Sequence, residues 1–566
     1  GKIDRAKLPE VEFAEEHMTK EELTPEENAI VEAFKTTLKT KNIYLDSDFF
    51  EVGGDSLAAA RLVAELQSHN VYVSYGDIFK YSTPRALYEY IYLNNINDIM
   101  SGKIAKDIDF TRIDKLLAET SYSGEAINLY EHIGNVLLTG VTGFLGVHIL
   151  KELVYNNKVD KVYCLVRAKN NLSSDERFKK QLAFFFEADI VKKIMSKAVV
   201  VNGDIANADL FTEEFNDKID VVINSAARVK HYGDYNKFYN VNVLGVKNII
   251  NYCIKSNAKL IHISTLSVSG NIIESGQTMK QSVLKDTHFD EKNLYIGQDI
   301  ENVYVNTKFA AEVEILNSIL DSGLNAKILR LGNLTGRLSD GKFQPNVEEN
   351  AFSNRVKALI ELHAMPKSMY EKYIEMTPID VVSDAINKIM EIENKNIVYH
   401  LFNHNHIPMP YFVDILKGLD VKVDILDKDN FTKLLHSYMQ DEEKIKIIQG
   451  IIPDIAEDGS LEYNDNITIN SDISQKILHN VGFDWPTLGE NYILKYLEYL
   501  QRINFLNLVF GDGGKKQDCW KICLLIWREY KIVAKLVFFL RPQKQVLLPK
   551  IISQKKEKIM IDKYVE

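Results

Sequence analysis

The chain has 566 residues, of which 46% are hydrophobic and 26% are charged. This composition excludes collagen-like, disordered and small disulfide-rich proteins, and the length favours roughly three or four domains. The net charge of −11 argues against a protein that binds nucleic acid. The cysteines are too few and too scattered for a disulfide framework or a zinc site, which predicts a reducing, cytoplasmic setting and no metal. The 4 cysteines are Cys164, Cys253, Cys519 and Cys523.

Residues 1–20 are rich in charge and lack hydrophobic periodicity, which is typical of a linker. The chain opens neither with Met nor with the apolar run of a signal peptide. We therefore expect this sequence to be a piece of a longer polypeptide.

Residues 21–97 show the periodicity of a small all-α domain with four helices. Apolar residues recur at helical spacing from Ile30 to Leu38, and a loop with two glycines precedes a second amphipathic helix at 57–66. Pro84 marks the start of the last helix.

Ser56 stands after Gly53 and Gly54, at the start of the second predicted helix. The free N–H groups of a helix N-terminus favour a bound or attached phosphate there, although a serine in this place can simply cap the helix. The run DFFEVGGDSL, residues 48–57, resembles the signature of peptidyl carrier (thiolation) domains. The resemblance implies that a phosphopantetheinyl transferase attaches 4′-phosphopantetheine to Ser56, which then holds an acyl group as a thioester.

The first residues, GKIDR followed by Leu8 and Pro9, resemble the last motif of the adenylation domain of a non-ribosomal peptide synthetase. Lys2 matches the lysine that contacts the acyl adenylate in that family. The body of such a domain is absent from the sequence, so Lys2 has nothing to activate here. The resemblance implies upstream adenylation and condensation domains as partners.

After a predicted linker at 98–130, short apolar runs alternate with helical segments across residues 131–333. This alternation predicts an α/β Rossmann-like, doubly wound parallel sheet. Residues 334–503 read as a smaller, mostly helical C-terminal subdomain for the substrate. The predicted strands are Asn135–Leu138, Lys161–Val166, Ala198–Val201, Val221–Ile223, Leu260–Ile263 and Lys327–Leu331.

A glycine-rich run, TGVTGFLG, joins the first predicted strand to a helix. Gly140 would allow the tight turn, Gly143 the close approach of a pyrophosphate, and Gly146 the packing of helix on strand. A turn without a ligand is the alternative, but both flanks favour a nucleotide site. The candidate residues of this loop are Gly140, Thr142, Gly143, Phe144, Leu145 and Gly146.

Arg167 directly follows the second predicted strand, where an NAD enzyme would carry an acidic residue for the ribose hydroxyls. A guanidinium group pairs with a 2′-phosphate instead, which predicts NADPH as the cofactor. A solvated surface arginine is the alternative. Asp204, after the third strand, is a candidate for contact with the adenine.

Tyr304 and Lys308 are four residues apart in a predicted helix, so the phenol and the ammonium share one face. A neighbouring cation lowers the pKa of a phenol and suits it to proton transfer. Thr265 follows the fifth strand, with Ser264 as the neighbouring alternative. Together they resemble the Ser/Thr–Tyr–Lys triad of extended short-chain dehydrogenases/reductases, in which Lys308 also holds the nicotinamide ribose and Asn242 supports the site.

The resemblance narrows to the thioester reductase domains of non-ribosomal peptide synthetases, and to α-aminoadipate and carboxylic acid reductases. It covers about residues 130–500 and includes RLGN at 330–333 and TPID at 377–380. One departure is Asn224, because the family often has His before its small residues, and this affects the local nucleotide contacts.

The implied function is NADPH-dependent release of a carrier-bound aminoacyl or peptidyl thioester as an aldehyde, with further reduction to an alcohol left open. Two alternatives are a redox-inactive domain that releases its product by Dieckmann-type cyclisation, and a non-catalytic carrier and docking module. A nucleotide-sugar epimerase shares the triad, but the carrier domain disfavours a diffusible sugar.

Residues 504–566 form a tail outside the resemblance. From Gly513 onward, 13 Lys and Arg face 5 Asp and Glu, a net charge of +8. We expect a solvated extension or a sequence unrelated to the domain. The alternative is an amphipathic helix on an anionic membrane or an acidic partner, since the charges are too many for a membrane span.

Overall fold

The structure is a computed structural model of the chain. It describes residues 23–69, 71, 73–93, 108–169, 171–211, 215, 217–229, 235–270, 287–298, 300, 302–393, 395–441, 443–455, 460–461 and 467–506. The predictions for Lys2, for the first part of the linker and for the basic tail from residue 507 lie outside the described residues.

The described part of the carrier domain contains the four helices that the sequence predicts. They are α1 (Pro25–Leu38), α2 (Ser56–Ser68), α3 (Tyr75–Lys80) and α4 (Pro84–Tyr88). A capping box between Thr24 and Glu27 starts α1, and Pro84 occupies the first turn of α4. The aromatic rings of Phe34 and Phe49 meet edge to face, 5.4 Å apart, in the core of this small domain.

Seven parallel strands form the central sheet of the larger domain. Their order in space is β7-β6-β5-β4-β1-β2-β3, which is the doubly wound Rossmann-like order with one added strand. The chain reverses its direction of winding between β1 and β4, where ligands of such sheets bind at the carboxyl ends of the strands. The strands are β1 (Gly134–Thr139), β2 (Val159–Val166), β3 (Ala198–Asn202), β4 (Val221–Asn224), β5 (Lys259–Thr265), β6 (Ala326–Leu331) and β7 (Val398–Leu401).

Both faces of the sheet are buried. Leu138 belongs to one hydrophobic core and its neighbour Leu137 to another, because successive side chains of a strand point to opposite faces. Described helices of the larger domain are α5 (Phe110–Ala118), α6 (Phe144–Tyr155), α7 (Ser174–Phe185), α8 (Ala188–Met195), α9 (Tyr235–Tyr239), α10 (Gly245–Ser256), α11 (Val303–Ser322), α12 (Ala351–Leu362), α13 (Lys367–Tyr370), α14 (Ile379–Glu391), α15 (Met409–Gly418), α16 (Lys428–Met439), α17 (Ile445–Ile448), α18 (Asp472–Asn480) and α19 (Glu490–Arg502).

The structure corrects the predicted boundary at residue 334 between the nucleotide part and the substrate part. Strand β7 pairs with β6, and α14 packs against α6, so residues 379–401 return to the nucleotide-binding half. The sequence pattern misses β7 because the strand is only four residues long and lies far along the chain from its partner.

The predicted linker at 98–130 also needs correction where it is described. Helix α5 buries Ile113 and Leu117 completely and contacts α11, while Phe110 stacks on Tyr295. A short helix with one narrow apolar face is easily read as a polar linker. At the other end, Phe505 and Leu506 are buried, so the domain extends beyond residue 503.

Short strand pairs and helices form the substrate subdomain. Helix α2 of the carrier contacts α16, and α16 also contacts the strand Ala364–Pro366. Among the described helices, none is long and apolar enough to cross a membrane.

The short strand pairs of the substrate subdomain are Leu334–Thr335 with Thr377–Pro378, Ala364–Pro366 with Asp424–Leu426, Tyr373–Ile374 with Ile407–Pro408, and Thr287–Phe289 with Ile467–Ile469.

Candidate active site

The loop between β1 and α6 depends on glycine. Gly140 has a φ of +68°, and a Cβ atom there would lie 2.6 Å from the backbone of Ser225. A Cβ atom at Gly146 would lie 2.3 Å from the carbonyl oxygen of Gly140. Any larger residue at either position would push the loop away from the helix or from the end of β4. The glycine pattern is therefore a packing requirement of this turn.

Helix α6 begins beside a cavity of about 230 Å³ at the carboxyl ends of the strands. Gly143 is the N-cap, and among the described residues no side chain caps this helix. Its first N–H groups and its dipole favour an anion. The cavity is lined by Thr139, Gly140, Thr142, Gly143, Leu165, Arg167, Arg177, Gly203, Asp204, Ile205, Ser225, Ala226, Ala227 and Val241.

Two arginines share one wall of this cavity. Arg167 lies with its Nη1 3.0 Å from a carboxylate oxygen of Asp204. Arg177, from α7, donates to the backbone carbonyl of Arg167 and, at 3.4 Å, to the hydroxyl of Thr142. Burial and the nearby Arg167 cation lower the pKa of Arg177. Two guanidinium groups crowded together in this way suit a phosphate dianion.

The opposite side of the same sheet edge carries a hydroxyl, a phenol and an amine. Thr265 ends β5, and its side chain is hydrogen-bonded to the phenol of Tyr304 in the first turn of α11. Burial raises the pKa of Tyr304 to about 12, and the bond to Thr265 partly offsets this rise. The phenol therefore stays protonated at neutral pH, as a proton donor must.

Lys308 is buried one turn further along α11. Its Nζ donates to the carbonyl oxygen of Ile263 at 2.6 Å and lies 3.1 Å from Nε2 of His262. Burial lowers the pKa of Lys308 to about 8, against the attraction of the Glu312 carboxylate. We expected the Lys308 cation to lower the pKa of Tyr304, and the structure gives the opposite direction because burial of the phenol dominates.

The neighbouring hydroxyl, that of Ser264, has a different partner. It donates to a carboxylate oxygen of Glu312 at 2.5 Å, and Glu312 forms a fully buried ion pair with Arg330. Ser264 is therefore engaged in the core of the domain, and Thr265 is the hydroxyl that meets Tyr304. Asn242 joins the loop after β4 to α11, because its amide oxygen accepts from the backbone N–H of Arg228 at 2.8 Å and its amide nitrogen donates to the hydroxyl of Thr307 at 3.0 Å.

Comparison with protein families finds two matches. The family described as male sterility protein matches residues 138–386, and the phosphopantetheine attachment site matches residues 28–91. A linear gramicidin synthase of Brevibacillus parabrevis is 24% identical over 524 residues, which are 90% of this chain and 10% of that protein. The large subunit of the L-2-aminoadipate reductase of Eremothecium gossypii is 26% identical over 482 residues, which are 79% of this chain and 34% of that protein. The chain thus spans about a third or less of the length of these relatives.

A solved structure decides the family. The thiolation-reductase di-domain of an archaeal non-ribosomal peptide synthetase is 34% identical and superposes with a TM-score of 0.75, covering 85% of this chain and 98% of that one. The chain belongs to this family of thiolation–reductase di-domains. The predicted carrier domain, the predicted Rossmann-like sheet and the resemblance to the reductase domains of non-ribosomal peptide synthetases are thereby confirmed.

The thiolation–reductase fold brings most of the predicted nucleotide residues to one cavity. Gly140, Thr142, Gly143, Arg167 and Asp204 line it. The other three loop residues lie behind its wall. The ring of Phe144 packs edge to face on Phe343 at 4.8 Å, Leu145 packs against the hydrophobic core, and Gly146 supports the turn. The side chains of Phe144 and Leu145 are partly buried in these contacts.

In the thiolation domain, Asp55 rather than Ser56 is the N-cap of α2. Its carboxylate accepts from the backbone N–H of Ala58 at 2.8 Å. Ser56 is the first residue of the helix, so the alternative interpretation of Ser56 as a simple cap does not hold.

Two polar residues of the reductase site carry no sequence motif. Arg177 lies on a helix that follows β2 and reaches the nucleotide cavity only through the fold. His262 is fully buried in β5, where its sequence neighbours suggest an ordinary strand residue.

Asn224, which departs from the family pattern, accepts from the hydroxyl of Thr139 at 2.6 Å and does not line the cavity. Among the described residues no cluster of His, Cys, Asp and Glu could hold a metal ion.

Proposed function

We propose that this di-domain ends a peptide assembly by reducing the carrier-bound aminoacyl or peptidyl thioester with NADPH and releasing an aldehyde. One observation carries the proposal. The Thr265–Tyr304 pair, with Lys308 beside it, lies at the sheet edge that also holds the nucleotide cavity, in a chain that carries its own thiolation domain.

The choice of NADPH over NADH follows from the wall made by Arg167 and Arg177. An adenosine 2′-phosphate would relieve the repulsion between the two guanidinium groups, whereas a free 2′-hydroxyl would not. We assign Asp204, which lines the same cavity and pairs with Arg167, to the contact with the adenine. NADPH, when bound, supplies the hydride.

The side chains of the chain itself handle the carbonyl oxygen of the thioester. Negative charge develops on this oxygen as the carbonyl carbon is reduced, so donors directed at it stabilise the transition state more than the ground state. The hydroxyl of Thr265 and the phenol of Tyr304 are these donors, and Tyr304 gives up its proton to this oxygen. The thiohemiacetal that forms then collapses: its C–S bond breaks, the hydroxyl proton passes to the departing sulfur, and the aldehyde and the pantetheine thiol separate. Lys308, which is held beside β5, binds the nicotinamide ribose and supports the proton transfer by Tyr304.

The thiolation domain supplies the substrate. Ser56 begins α2 next to a loop with two glycines, and we assign the 4′-phosphopantetheine to it, attached by a phosphopantetheinyl transferase. Upstream adenylation and condensation domains of the same synthetase would load the thioester. Because α2 contacts α16, the modified helix lies against the substrate subdomain of the reductase.

The test loads Ser56 with an aminoacyl-pantetheine, adds NADPH, and follows the loss of absorbance at the nicotinamide band together with the product mass. We expect one NADPH per aldehyde, or two where an alcohol forms. Tyr304→Phe should lower the rate about 10²–10⁴-fold. Tyr252→Phe, a half-buried phenol on α10, is the matched control and should leave the rate unchanged. Release of product without consumption of NADPH would favour Dieckmann-type cyclisation, and failure to bind NADPH would favour a docking module.

A further inference from the structure

A second cavity, of about 220 Å³, lies in the substrate subdomain between α12, α15 and the strand Ala364–Pro366. Most of its wall is apolar and buried, and three methionines contribute flexible side chains that adapt to a ligand. The wall consists of Asn333, Phe352, Arg355, Val356, Leu359, Ile360, Met365, Met369, Lys372, Tyr373, Ile374, Glu375, Met409, Phe412, Leu416 and Val423.

The cavity adjoins the carboxyl end of β6, the strand next to β5, which carries Thr265. Leu331, the last residue of β6, pairs in register with Thr265. Gly332 follows, and a Cβ atom there would lie 2.7 Å from a carboxylate oxygen of Glu375. Neighbouring parallel strands are only about 4.8 Å apart, so Glu375 is close to the strand end that carries the catalytic hydroxyl.

Glu375 is the acidic group of this wall. Its carboxylate accepts from the backbone N–H of Asn333 at 2.5 Å and from the hydroxyl of Thr377. Burial raises the pKa of Glu375 to about 7, and the hydrogen bonds from Thr377 and from the backbone and side chain of Asn333 partly offset the rise. The guanidinium of Arg355, at another part of the wall, is engaged by Asp454 at 2.8 and 2.9 Å. An N–H donor entering the cavity would therefore find its acceptor at Glu375.

We propose that this cavity binds the side chain of the residue that forms the thioester, that this side chain is large and apolar, and that Glu375 accepts a hydrogen bond from its α-nitrogen. The inference rests on the proposed function. A cavity of about 150 Å³ lined by apolar residues already holds a benzene ring, so about 220 Å³ accommodates a leucine or phenylalanine side chain.

The carrier domain, which would deliver the thioester, is connected by contacts to the wall of this cavity. Helix α2 contacts α16, and α16 contacts the strand Ala364–Pro366, whose Met365 lines the cavity. The apolar wall and the contact between carrier and subdomain thus belong to one continuous structure. Glu375 would repel an acidic side chain, and Arg355 already has a carboxylate partner, which leaves Lys372 as the other cation of the wall that such a side chain could meet.

The first experiment compares soluble pantetheine thioesters of alanine, leucine, phenylalanine and glutamate with the full chain and NADPH. We expect kcat/KM for the leucyl and phenylalanyl thioesters to exceed that for the alanyl thioester by about tenfold or more, because each buried methylene contributes roughly 0.8 kcal/mol. The glutamyl thioester should be the poorest. Equal kcat/KM for all four would overturn the assignment of the cavity while leaving the reductase function intact; if none is reduced, the proposed function itself fails.

The second experiment fills the cavity. Met365→Phe and Met369→Phe should each remove the advantage of the leucyl and phenylalanyl thioesters through KM, so that these two thioesters lose more than the alanyl thioester does. Met439→Phe is the matched control, since Met439 is a buried methionine on α16 that does not line the cavity. A loss that is equal for all thioesters, or that Met439→Phe reproduces, would contradict the proposal.

The third experiment isolates Glu375. Glu375→Gln should raise KM for the leucyl thioester about tenfold, which corresponds to the loss of a hydrogen bond to a charged group. The des-amino analogue, a 4-methylpentanoyl thioester, has no α-nitrogen, and its KM should stay the same. An equal effect of Glu375→Gln on both thioesters would exclude the contact with the α-nitrogen.

Discussion

Nε2 of His262 lies 3.1 Å from Nζ of Lys308, and Nδ1 of the same ring lies 3.2 Å from the amide nitrogen of Asn224. The Asn224 oxygen already accepts from Thr139, so its amide donates to Nδ1 and the ring proton resides on Nε2. His262 thus presents an N–H to Lys308, and this arrangement favours the free amine, which can accept the hydrogen bond, over the ammonium, which cannot. The catalytic lysine is held between this donor and the carbonyl of Ile263.

The pH dependence of the reductase should report Lys308. Its pKa of about 8 means that the ammonium is present at pH 7 and is lost as the pH rises through that value. The phenol of Tyr304, with a pKa of about 12, stays protonated throughout this range. We expect kcat/KM to be level up to about pH 7.5 and then to fall about tenfold per pH unit. A level profile up to pH 10 would show that the ammonium is not required.

Replacing His262 should shift the pH at which kcat/KM begins to fall, the alkaline limb of the pH profile. His262→Leu removes an N–H that favours the free amine, so the pKa of Lys308 should rise and the limb should move to higher pH, by roughly half to one unit. The buried His400 is the control, because it contacts Arg330 and the carbonyl of Asn470 instead of Lys308. His400→Leu should leave the limb in place. If the alkaline limb of His262→Leu lies at the same pH as that of the wild type, His262 has only a packing role.

The two neighbouring hydroxyls of β5 should differ in what they affect. Thr265→Val removes a donor to the reacting oxygen, so kcat should fall about 10²-fold. The free energy of unfolding should fall by only about 1 kcal/mol, because the Thr265 hydroxyl also accepts from the backbone N–H of Ser267 at 3.1 Å. Ser264→Ala leaves the buried Glu312 short of a donor and should lower the free energy of unfolding by about 1–3 kcal/mol. Kinetics and thermal unfolding of both variants check this, and the reverse pattern would make Ser264 the catalytic hydroxyl.

The arginine wall should set the preference for NADPH. Arg177→Ala and Arg167→Ala should each raise KM for NADPH about 10- to 100-fold, which corresponds to about 1.5–3 kcal/mol for a hydrogen bond to a charged group. KM for NADH should change little. The exposed Arg112, paired with Asp321, is the control for loss of positive charge. An equal rise in KM for both cofactors would place the two arginines elsewhere than at the 2′-phosphate.

The sequence predicted those parts of the site that lie within single segments. The glycine turn and the Tyr304–Lys308 spacing depend on neighbours a few residues apart, so the pattern is visible in the chain. Arg177 reaches Thr142, 35 positions away, and His262 reaches Lys308, 46 positions away, and no local periodicity records such contacts. The pKa of Tyr304 was predicted in the wrong direction for a similar reason, because burial depends on the whole fold and outweighs one nearby cation.

The ion pair of Glu312 and Arg330 should couple stability to catalysis. Both side chains are fully buried, and Arg330 also contacts His400. Glu312→Gln leaves the guanidinium charge unmatched in the core, so the free energy of unfolding should fall by about 3–5 kcal/mol. Glu312 also raises the pKa of Lys308, so any folded Glu312→Gln enzyme should show its alkaline limb at lower pH, opposite to His262→Leu. Denaturant unfolding and the pH profile of kcat/KM measure the two effects separately. A stability loss without the downward shift would mean that Glu312 serves the core alone and that His262 is the residue that adjusts Lys308.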